Sequence, residues 1–366
     1  MALSVDLSPL DDLAALEAEW RALEAEAEPN FFLSWTWMAA VLGLARERPL
    51  VLRARDGNRL MALAWLSPVS TRRHLIVRSR QLWLHETGNP ALDRITIEHN
   101  GFLVRKGSAP DLMQNVFISL LHQRQNLGWD EIVLGGVGAA ILDAAQQAGL
   151  TPALDRQSNT YAVPLAHIRA SGKTWLDTLS RNTRSKVQQA CRFAAQSGPL
   201  KIDAARDLPE AMDFFERMRA LHQERWKQAP AGGAFSTNET RTFHTHLITA
   251  GMANGTIELL RVSAGDQPLG YLYNLISGNA VYNYQSGFQR QDDNRHRPGL
   301  VAHRLCIERA LAAGFGAYDL LAGDMRYKRS IAEAGPALFW ARAQAAHPIL
   351  AAERMARAVK AKLLKA

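Results

Sequence analysis

The chain has 366 residues, of which 47% are hydrophobic and 21% charged. This composition is typical of globular proteins and excludes collagen-like, coiled-coil and wholly disordered chains, and the length predicts two domains of about 150 residues each. The net charge of +8 suits an anionic partner, such as a nucleic acid, a membrane surface or a phosphorylated cofactor.

The first thirty residues carry charge of the opposite sign, with eight acidic residues and one arginine. Targeting peptides are basic, so we expect no targeting sequence here. Apolar residues recur at helical spacing from Leu10 to Leu23 and predict a first helix that ends near Asn30. The aromatic cluster that follows, between Phe31 and Trp37, is more typical of a core than of a ligand platform.

Two features predict a cytoplasmic protein without a transmembrane segment. The longest uncharged stretch, Gln267 to Gln289, is interrupted by polar residues and is not an apolar span. Cys191 and Cys306 lie 115 positions apart without a C-x-x-C motif. This usage favours a reducing compartment and argues against a disulfide or a cysteine-bound metal.

Two similar β-hairpins are predicted, one in each half of the chain. The first surrounds Asp56-Gly57-Asn58 within residues 50–66, and the second surrounds Gly265 within residues 259–273. At a constant offset of 208 positions, Arg53 aligns with Arg261 and Gly57 with Gly265. The alternative is a chance likeness between two ordinary hairpins.

A helix and a strand follow each hairpin in the same order. Helix 111–126 leads through Gly128-Trp129 into strand 131–134, and helix 300–313 leads through Gly314-Phe315 into strand 317–321. We therefore predict one α/β unit built twice, with the boundary between residues 157 and 171.

The segment from Arg169 to Arg192 contains six basic residues and one acidic residue. Two interpretations stay open, namely a solvated helix face and contact with an anionic substrate or nucleic acid.

Several standard catalytic motifs are absent, among them G-x-x-x-x-G-K-[ST], H-E-x-x-H, G-x-S-x-G and G-x-G-x-x-G after a strand. His244 and His246 lie in a helical stretch, where side chains two positions apart point in different directions. We therefore expect no metal site there.

The region from residue 280 to 332 is the most informative. An aromatic alternation over 281–285 predicts a strand, and a polar loop over 289–297 leads into a helix that begins at Pro298-Gly299. A Pro-Gly helix start with Arg295 and Arg297 beside it leaves backbone N–H groups for a phosphate or pyrophosphate. The alternative is an ordinary surface loop.

A second group of polar residues follows the strand 317–321. Asp324, Tyr327 and Lys328 come just after its carboxyl end, where ligands tend to bind in open α/β sheets. The alternatives are structural: a corner cap for Asp324, a core ring for Tyr327 and a surface amine for Lys328.

Together these segments resemble the GNAT acetyltransferase superfamily and, within it, the cellulose-biosynthesis-type (CelD-like) proteins, which are relatives of the Fem peptidyltransferases with two GNAT units per chain. The resemblance covers most of the chain and is most specific in its final third. The matching segments are Pro29 to Phe32 with Trp35, Arg181 to Arg192, Leu221 to Trp226, Arg297 to Gly299, and Tyr318 to Asp324 with Tyr327 and Lys328.

The resemblance implies an α/β (α+β) fold with two tandem GNAT-like units, each a mixed, mostly antiparallel sheet flanked by helices. The units would span residues 1–160 and 161–347, followed by a basic helix over 348–366. The first unit would lack a donor site, and the second would hold both the donor site and the catalytic site.

The implied donor is acetyl-CoA or a longer acyl-CoA, with no metal. Its pantetheine arm would pair with the strand at Tyr284 and Gln285. Its pyrophosphate would lie on the loop that contains Arg295, Arg297, Gly299 and Leu300. The family loop reads [RQ]-x-x-G-x-[GA], and this chain is one residue short between Arg297 and Gly299.

GNAT chemistry needs a base for the ammonium proton and an acid for the departing thiolate. Tyr327 matches the place of the family acid, and Asp324 is the first candidate base. Further candidate bases are Glu224 and His296. The resemblance also implies substrate-side roles for His222, Arg225, Trp226 and Lys328.

Three functions follow as hypotheses. The first is an acyl-CoA-dependent acyltransferase acting on an amine or hydroxyl of a small molecule or polysaccharide component. The second is a Fem-type transferase that uses aminoacyl-tRNA, and the third is a non-catalytic binding protein in envelope polysaccharide synthesis. The terminal helix 348–366 has basic and apolar sides, which fits either a membrane or partner contact or a solvated helix.

Overall fold

The computed structural model describes residues 3–45, 47–73, 77–93, 95, 97–227, 233–235, 237–290, 293 and 295–363. The chain divides into two compact units, one formed by residues 1–158 with 337–366 and the other by residues 159–336. The first boundary lies two residues from the one expected at 160. The segment after residue 336, which we expected in the second unit and in a separate helix, belongs to the first unit instead.

The first unit begins with a short strand and then alternates helices with strands. Its strands before residue 150 are β1 (Leu3–Pro9), β2 (Leu50–Asp56), β3 (Arg59–Arg73), β4 (Val77–Leu84), β5 (Leu103–Val104) and β6 (Glu131–Gly138). Its helices in the same range are α1 (Leu13–Ala25), α2 (Trp35–Leu42), α3 (Leu112–His122), α4 (Arg124–Leu127) and α5 (Ala139–Gln147). Helix α1 starts after Leu10 because the Asp12 side chain accepts the N–H of Ala15, 3.0 Å away, and so caps it.

The sheet of the first unit is antiparallel except at one pair of strands. Neighbouring strands follow the order β1-β2-β3-β4-β6, and β4 and β6 run parallel over Gln81–Trp83 and Glu131–Val133. Beyond this pairing, the Asn100 side chain donates to the carbonyl oxygens of Leu84, 3.0 Å away, and Gly135, 2.9 Å away. A protein amide therefore fills the gap between the strand ends.

The second unit contains most of the longer helices and a further set of strands. Between residues 150 and 255 the elements are β7 (Thr151–Val163), α6 (Leu165–Ala170), α7 (Trp175–Thr178), α8 (Arg181–Ala194), β8 (Leu200–Ala204), α9 (Leu208–Trp226) and α10 (Asn238–Ala253). They continue with β9 (Ile257–Ala264), β10 (Gln267–Ser277), β11 (Ala280–Phe288), α11 (Pro298–Ala312), β12 (Ala317–Ala322) and α12 (Arg326–Ile331).

Two strands outside the predicted set carry the chain between the units. The chain leaves the first unit within β7 and returns to it within β13 (Glu333–Gln344), which leads to α13 (Pro348–Leu363). The boundary expected between 157 and 171 is therefore ordered structure, formed by the end of β7 and by α6.

The two parallel strands of the second unit, β11 and β12, pair over only three residues each. The strands of this unit follow the order β7-β12-β11-β10-β9-β8, and β11 pairs with β12 only over Ala280–Tyr282 and Ala317–Asp319. Against β10, the register of β11 shifts at Tyr284, which is the extra residue of a β-bulge. A bulge bends its strand, so β11 diverges from β12 beyond this point.

The two faces of this sheet pack against different helices. Leu260 of β9 and Leu272 of β10 share a core cluster with Val187 of α8 and Val301 of α11. Side chains alternate along a strand, and Tyr273 of β10 accordingly packs against the rings of α9 and α10. Helices α8 and α11 thus cover one face, and α9 and α10 the other.

Helix α13 packs into the first unit through the buried side chain of Leu350 and through several polar residues. Arg354 donates to Gln344, and Arg357 pairs with Asp155 and Glu353. The apolar side chains of Met355 and Val359 are exposed. The predicted contact of residues 348–366 with a membrane stays a prediction, and residues 364–366 lie outside the described part. None of the helices in the described ranges is long and apolar enough to cross a membrane.

Glu353→Gln is expected to lower the free energy of unfolding by about 1.5–3 kcal/mol near neutral pH, the range for hydrogen bonds to charged groups. Glu353 is buried and accepts two N–H groups of the Arg73 guanidinium, from Nε at 3.1 Å and from Nη2 at 2.9 Å. These bonds lower the pKa of Glu353 from 4.5 to about 2. The stabilisation is therefore complete above pH 4.5 and is lost as the pH falls toward 2.

Urea unfolding of the wild type and of Glu353→Gln, from neutral pH down toward pH 2, measures the difference in their free energies of unfolding. Exposed Glu333 supplies the control, Glu333→Gln, which should change little. A wild-type advantage that stayed constant as the pH fell through this range would contradict the prediction.

Candidate functional site

A cleft of about 970 Å³ opens in the second unit where β11 and β12 diverge. It is lined by the end of β11, the first turns of α11 and α12, and one side each of α8 and α9. The lining residues are Thr183, Lys186, Leu221, Glu224, Arg225, Ser286, Phe288, Gln289, Arg290, Arg297, Pro298, Gly299, Leu300, His303, Arg326, Tyr327 and Ser330.

The edge of β11 is open along one side of this cleft. Gln285 to Phe288 pair with β10 on one edge, whereas pairing with β12 on the other edge ends at Tyr282. Backbone groups on such an edge are free to bind an extended, amide-containing ligand. The side chains of Ser286 and Phe288 point into the cleft.

The start of α11 lies in the same cleft and favours an anion. Arg297 occupies the N-cap position without a side-chain hydrogen bond to the helix, and Pro298 has no N–H. The N–H of Gly299 makes no hydrogen bond to any described residue. A helix N-terminus with an open N–H and a partial positive charge is a common phosphate site.

The charge of the lining residues points to the same class of ligand. Five basic side chains line the cleft, and among the described lining residues Glu224 is the one carboxylate. The basic residues are Lys186, Arg225, Arg290, Arg297 and Arg326. Lys186 comes from α8, so part of the basic segment noted in the sequence faces this cleft rather than solvent alone.

Tyr327 lies at the start of α12 and lines the cleft. Burial raises the pKa of its phenol to about 12, despite an opposing effect of nearby Arg225. Its hydroxyl has no hydrogen-bond partner within the described residues. At neutral pH Tyr327 therefore carries a proton that it can give to a ligand.

His303 is a cleft residue that the sequence did not single out. Its ring is 1% exposed, stacks on the Tyr327 ring with centroids 5.6 Å apart, and places Nδ1 3.1 Å from the Tyr318 hydroxyl. Burial, with the charge of Lys328 adding to it, lowers the pKa of His303 to about 4. The available signal was its place one helical turn after Gly299, on the same side of α11.

The structure brings six of the sequence-predicted residues together. Glu224, Arg225, Arg297, Gly299, Leu300 and Tyr327 all line the cleft. Glu224 is largely exposed, and its carboxylate lies 3.9 Å from the Lys227 ammonium. A water-accessible carboxylate in this position is able to accept a proton from a substrate.

Asp324 and Lys328 do not line the cleft, contrary to the roles expected for them. The Asp324 carboxylate accepts the Tyr161 hydroxyl at 2.7 Å and pairs with Arg329 at 3.2 Å. Lys328 is buried, and its ammonium donates to the Ala322 carbonyl 2.6 Å away. Both side chains thus hold the turn after β12 in place.

His222 and Trp226 also lie outside the lining of the cleft. The His222 ring is buried against Phe235, with centroids 5.0 Å apart, and its Nδ1 has no partner within the described residues. Burial, with the charge of Arg225 adding to it, lowers the pKa of His222 to about 4. Trp226 is partly exposed beside it.

The remaining donor-site candidates lie near the cleft without lining it. Tyr284 is buried against Tyr273 and His244. Gln285 stands opposite Tyr273 in the β10 pairing, and its neighbour Ser286 takes the lining position.

The loop before α11 is described only in part. Arg295 pairs with Asp293 at 2.7 Å, and the ring of His296 packs on Phe193. These contacts hold both residues against the protein, and neither residue lines the cleft. Residues 291, 292 and 294 of the predicted polar loop lie outside the described residues.

Comparison with known families identifies the part of the chain that holds this cleft. Residues 181–329 match the model of the acetyltransferase (GNAT) domain. The match begins at α8 and ends in α12. It therefore covers every residue that lines the cleft except Ser330. No curated protein sequence matches the chain.

Several solved structures share the fold over nearly the whole chain. The crystal structure of FemX covers 88% of this chain and 95% of its own, with 12% identity and a TM-score of 0.55. The structure of L-PGS from Bacillus licheniformis covers 93% of this chain and 96% of its own, with 11% identity and a TM-score of 0.53. The structure of a tandem GNAT protein from the clavulanic acid biosynthesis pathway covers 94% of this chain and 99% of its own, with 12% identity and a TM-score of 0.51. The mixed α/β fold with tandem GNAT-like units is thereby confirmed.

Proposed function

We propose that this protein transfers an acyl group from acyl-CoA to an amine or hydroxyl of a small molecule or polysaccharide component. The observation that carries the proposal is the cleft between the diverging ends of β11 and β12, with its five basic side chains and the open N-terminus of α11. The GNAT domain match over the same residues supports it. Membership of the cellulose-biosynthesis-type group is part of this proposal.

The binding mode follows from the lining of the cleft. The open edge of β11 binds the amide-containing pantetheine arm, as an added strand would be bound. The Gly299 N–H and the Arg297 guanidinium bind the pyrophosphate. The first unit has no equivalent opening among its described residues, because the Asn100 side chain bridges Leu84 and Gly135 there. We therefore assign the donor site to the second unit alone.

The reaction is an acyl transfer with a balanced movement of protons. The acceptor nitrogen or oxygen attacks the thioester carbonyl carbon, the C–S bond breaks, and the thiolate takes the proton of Tyr327. Glu224, the carboxylate in the cleft, accepts the proton lost by the acceptor, directly or through water. Asp324 takes no part as a base, because its oxygens are bound to Tyr161 and Arg329.

A second candidate is an aminoacyl-tRNA-dependent transfer. Arg181 and Arg192 of α8 are exposed and do not line the cleft, so they offer further contacts to an extended polyanion. Binding of tRNA through such contacts must weaken steeply with added salt. A non-catalytic protein, the third candidate, would bind a donor or glycan without turning it over.

Calorimetric titration with acetyl-CoA and longer acyl-CoAs tests the donor site. Arg297→Gln is expected to weaken binding about 10- to 100-fold, because it removes a charge-assisted hydrogen bond to phosphate. Arg295→Gln is the matched control: it removes the same charge from the same loop, but its partner is Asp293 outside the cleft.

The outcomes separate the three candidates. Saturable binding with release of free CoA on addition of an amine or glycan supports acyl transfer. Absence of saturable heat with every acyl-CoA would overturn it, and salt-sensitive binding of tRNA in that case would favour the second candidate. Equal weakening by both arginine variants would show that bulk charge, not a specific contact, drives binding.

A further inference from the structure

A chain of buried hydrogen bonds runs from the β11 bulge toward the cleft. The Asn283 side chain, next to the bulge residue, donates from Nδ2 to Oδ1 of Asn274, 3.0 Å away. Asn274, which is fully buried, in turn donates from Nδ2 to the Cys306 sulfur, 3.3 Å away. Both amide side chains are buried.

Cys306 lies between Asn274 and Tyr318. Burial raises the pKa of its thiol to about 11, so the sulfur keeps its proton. The sulfur accepts from Asn274 and is hydrogen-bonded to Tyr318. A thiol sulfur is only a weak acceptor, so Cys306 competes poorly for the Tyr318 proton.

The stronger acceptor within reach of the Tyr318 hydroxyl is the His303 ring. Nδ1 of His303 lies 3.1 Å from the hydroxyl oxygen, and a neutral imidazole nitrogen accepts a phenol proton better than a thiol sulfur does. The hydrogen bond made by one ring nitrogen of a histidine sets which nitrogen is protonated. With Nδ1 as the acceptor, the proton of neutral His303 resides on Nε2. That nitrogen has no partner among the residues described, and the ring lines the cleft.

We propose that His303 is a catalytic residue that donates a hydrogen bond from Nε2–H to the carbonyl oxygen of the acyl group, with Tyr318 as a positioning residue. The proposal rests on the proposed acyl transfer. The ring of His303 stacks on that of Tyr327, and Tyr327 protonates the thioester sulfur, which is bonded directly to the carbonyl carbon. A donor on the neighbouring ring is therefore well placed for the carbonyl oxygen.

The electron balance of this step is simple. When the acceptor attacks the carbonyl carbon, the C=O π electrons move to the oxygen, and the Nε2–H bond stabilises the negative charge that forms there. The electron pair on the oxygen then re-forms the C=O bond, and the C–S bond breaks with its electrons going to the sulfur. His303 stays neutral throughout, since its proton is shared and not transferred.

The tautomer of His303 is the first test, and it is independent of any substrate. Nitrogen-15 NMR of the wild type distinguishes protonated from unprotonated ring nitrogens, and His303→Gln assigns the signals among the 11 histidines. We expect protonated Nε2 and unprotonated Nδ1 at neutral pH. Tyr318→Phe should give a mixture of the two tautomers. A wild-type signal from protonated Nδ1 would overturn the proposal.

Contact with the acyl group is the second test. The carbonyl signal of carbon-13-labelled acetyl-CoA should move downfield on binding to the wild type and return toward the free position with His303→Leu. The same variant should lower kcat about 100- to 1,000-fold, the usual effect of losing one oxyanion donor, with little change in KM. His303→Gln keeps an N–H and should recover part of this loss.

Two controls keep the inference separate from the proposed function. His246→Leu replaces an exposed histidine on α10 and should leave the carbonyl signal and turnover unchanged. Melting curves show whether each variant is folded. Failure of the wild type to bind any acyl-CoA would refute the proposed function, with the tautomer still decided by NMR. Normal turnover and an unchanged carbonyl shift in His303→Leu would refute the role of His303 alone.

Discussion

Tyr327→Phe is expected to lower kcat by about two to four orders of magnitude while acyl-CoA binding stays within about twofold, the pattern for loss of a general acid. The hydroxyl faces the cleft, has no partner within the described residues and keeps its proton, since burial raises the pKa of Tyr327 to about 12. Phenylalanine preserves the ring that stacks on His303 and removes only the proton donor.

The pH profile provides a second readout of the same residue. The protonated phenol is the active form, so this acid is not lost until the pH approaches 12. Release of free thiol from acyl-CoA measures turnover in both proteins. Tyr161→Phe is the control, because its hydroxyl binds Asp324 outside the cleft. Unchanged turnover of Tyr327→Phe across the pH range would show that another group, or water, protonates the thiolate.

Gly287→Ala is expected to destabilise the second unit by about 3 kcal/mol, at the upper end of the usual effect of overpacking. A Cβ at Gly287 would stand 2.3 Å from the Met218 carbonyl oxygen and 3.1 Å from Cβ of Leu221. Both atoms belong to α9, and a helix backbone cannot yield locally. Either the fold loses stability or α9 shifts away from β11.

A shift of α9 would also weaken the donor site. Leu221, Glu224 and Arg225 line the cleft from this helix, so the same variant should bind acyl-CoA more weakly than the wild type. Urea unfolding and calorimetry measure the two effects. Gly101→Ala is the matched control, because nothing lies within 4 Å of the added Cβ. Equal stability of the two variants would mean that the contact between β11 and α9 is looser than described.

Local sequence signals were sufficient for the elements that build the cleft. The Asp-Gly turn predicted the β2–β3 hairpin, and the alternation over 281–285 predicted β11. The Pro298-Gly299 start of α11 and the strand after it were also predicted correctly, because helix starts and buried strands depend on residues close in sequence. The expectation that Arg297, Gly299 and Tyr327 share one region came from the resemblance to GNAT proteins and not from the order of these elements.

Features that depend on distant residues could not be predicted in this way. The strands β7 and β13 have irregular polarity, and what orders them is pairing with strands far away in the chain. Lys328 and Asp324 lie beside Tyr327 in sequence, but the short helix α12 turns them toward the strand end and Tyr161. The role proposed for His303 depends on its hydrogen bond to Tyr318 and its stacking on Tyr327, which no spacing rule reveals.

The return of the chain through β13 has a consequence for biosynthesis. Residues 337–344 pair with β6, which was made about two hundred residues earlier. The second unit is one continuous segment and can fold as soon as it leaves the ribosome, whereas the first waits for its last strand with the β6 edge exposed. We therefore expect the half of the protein that is synthesised first to finish folding last.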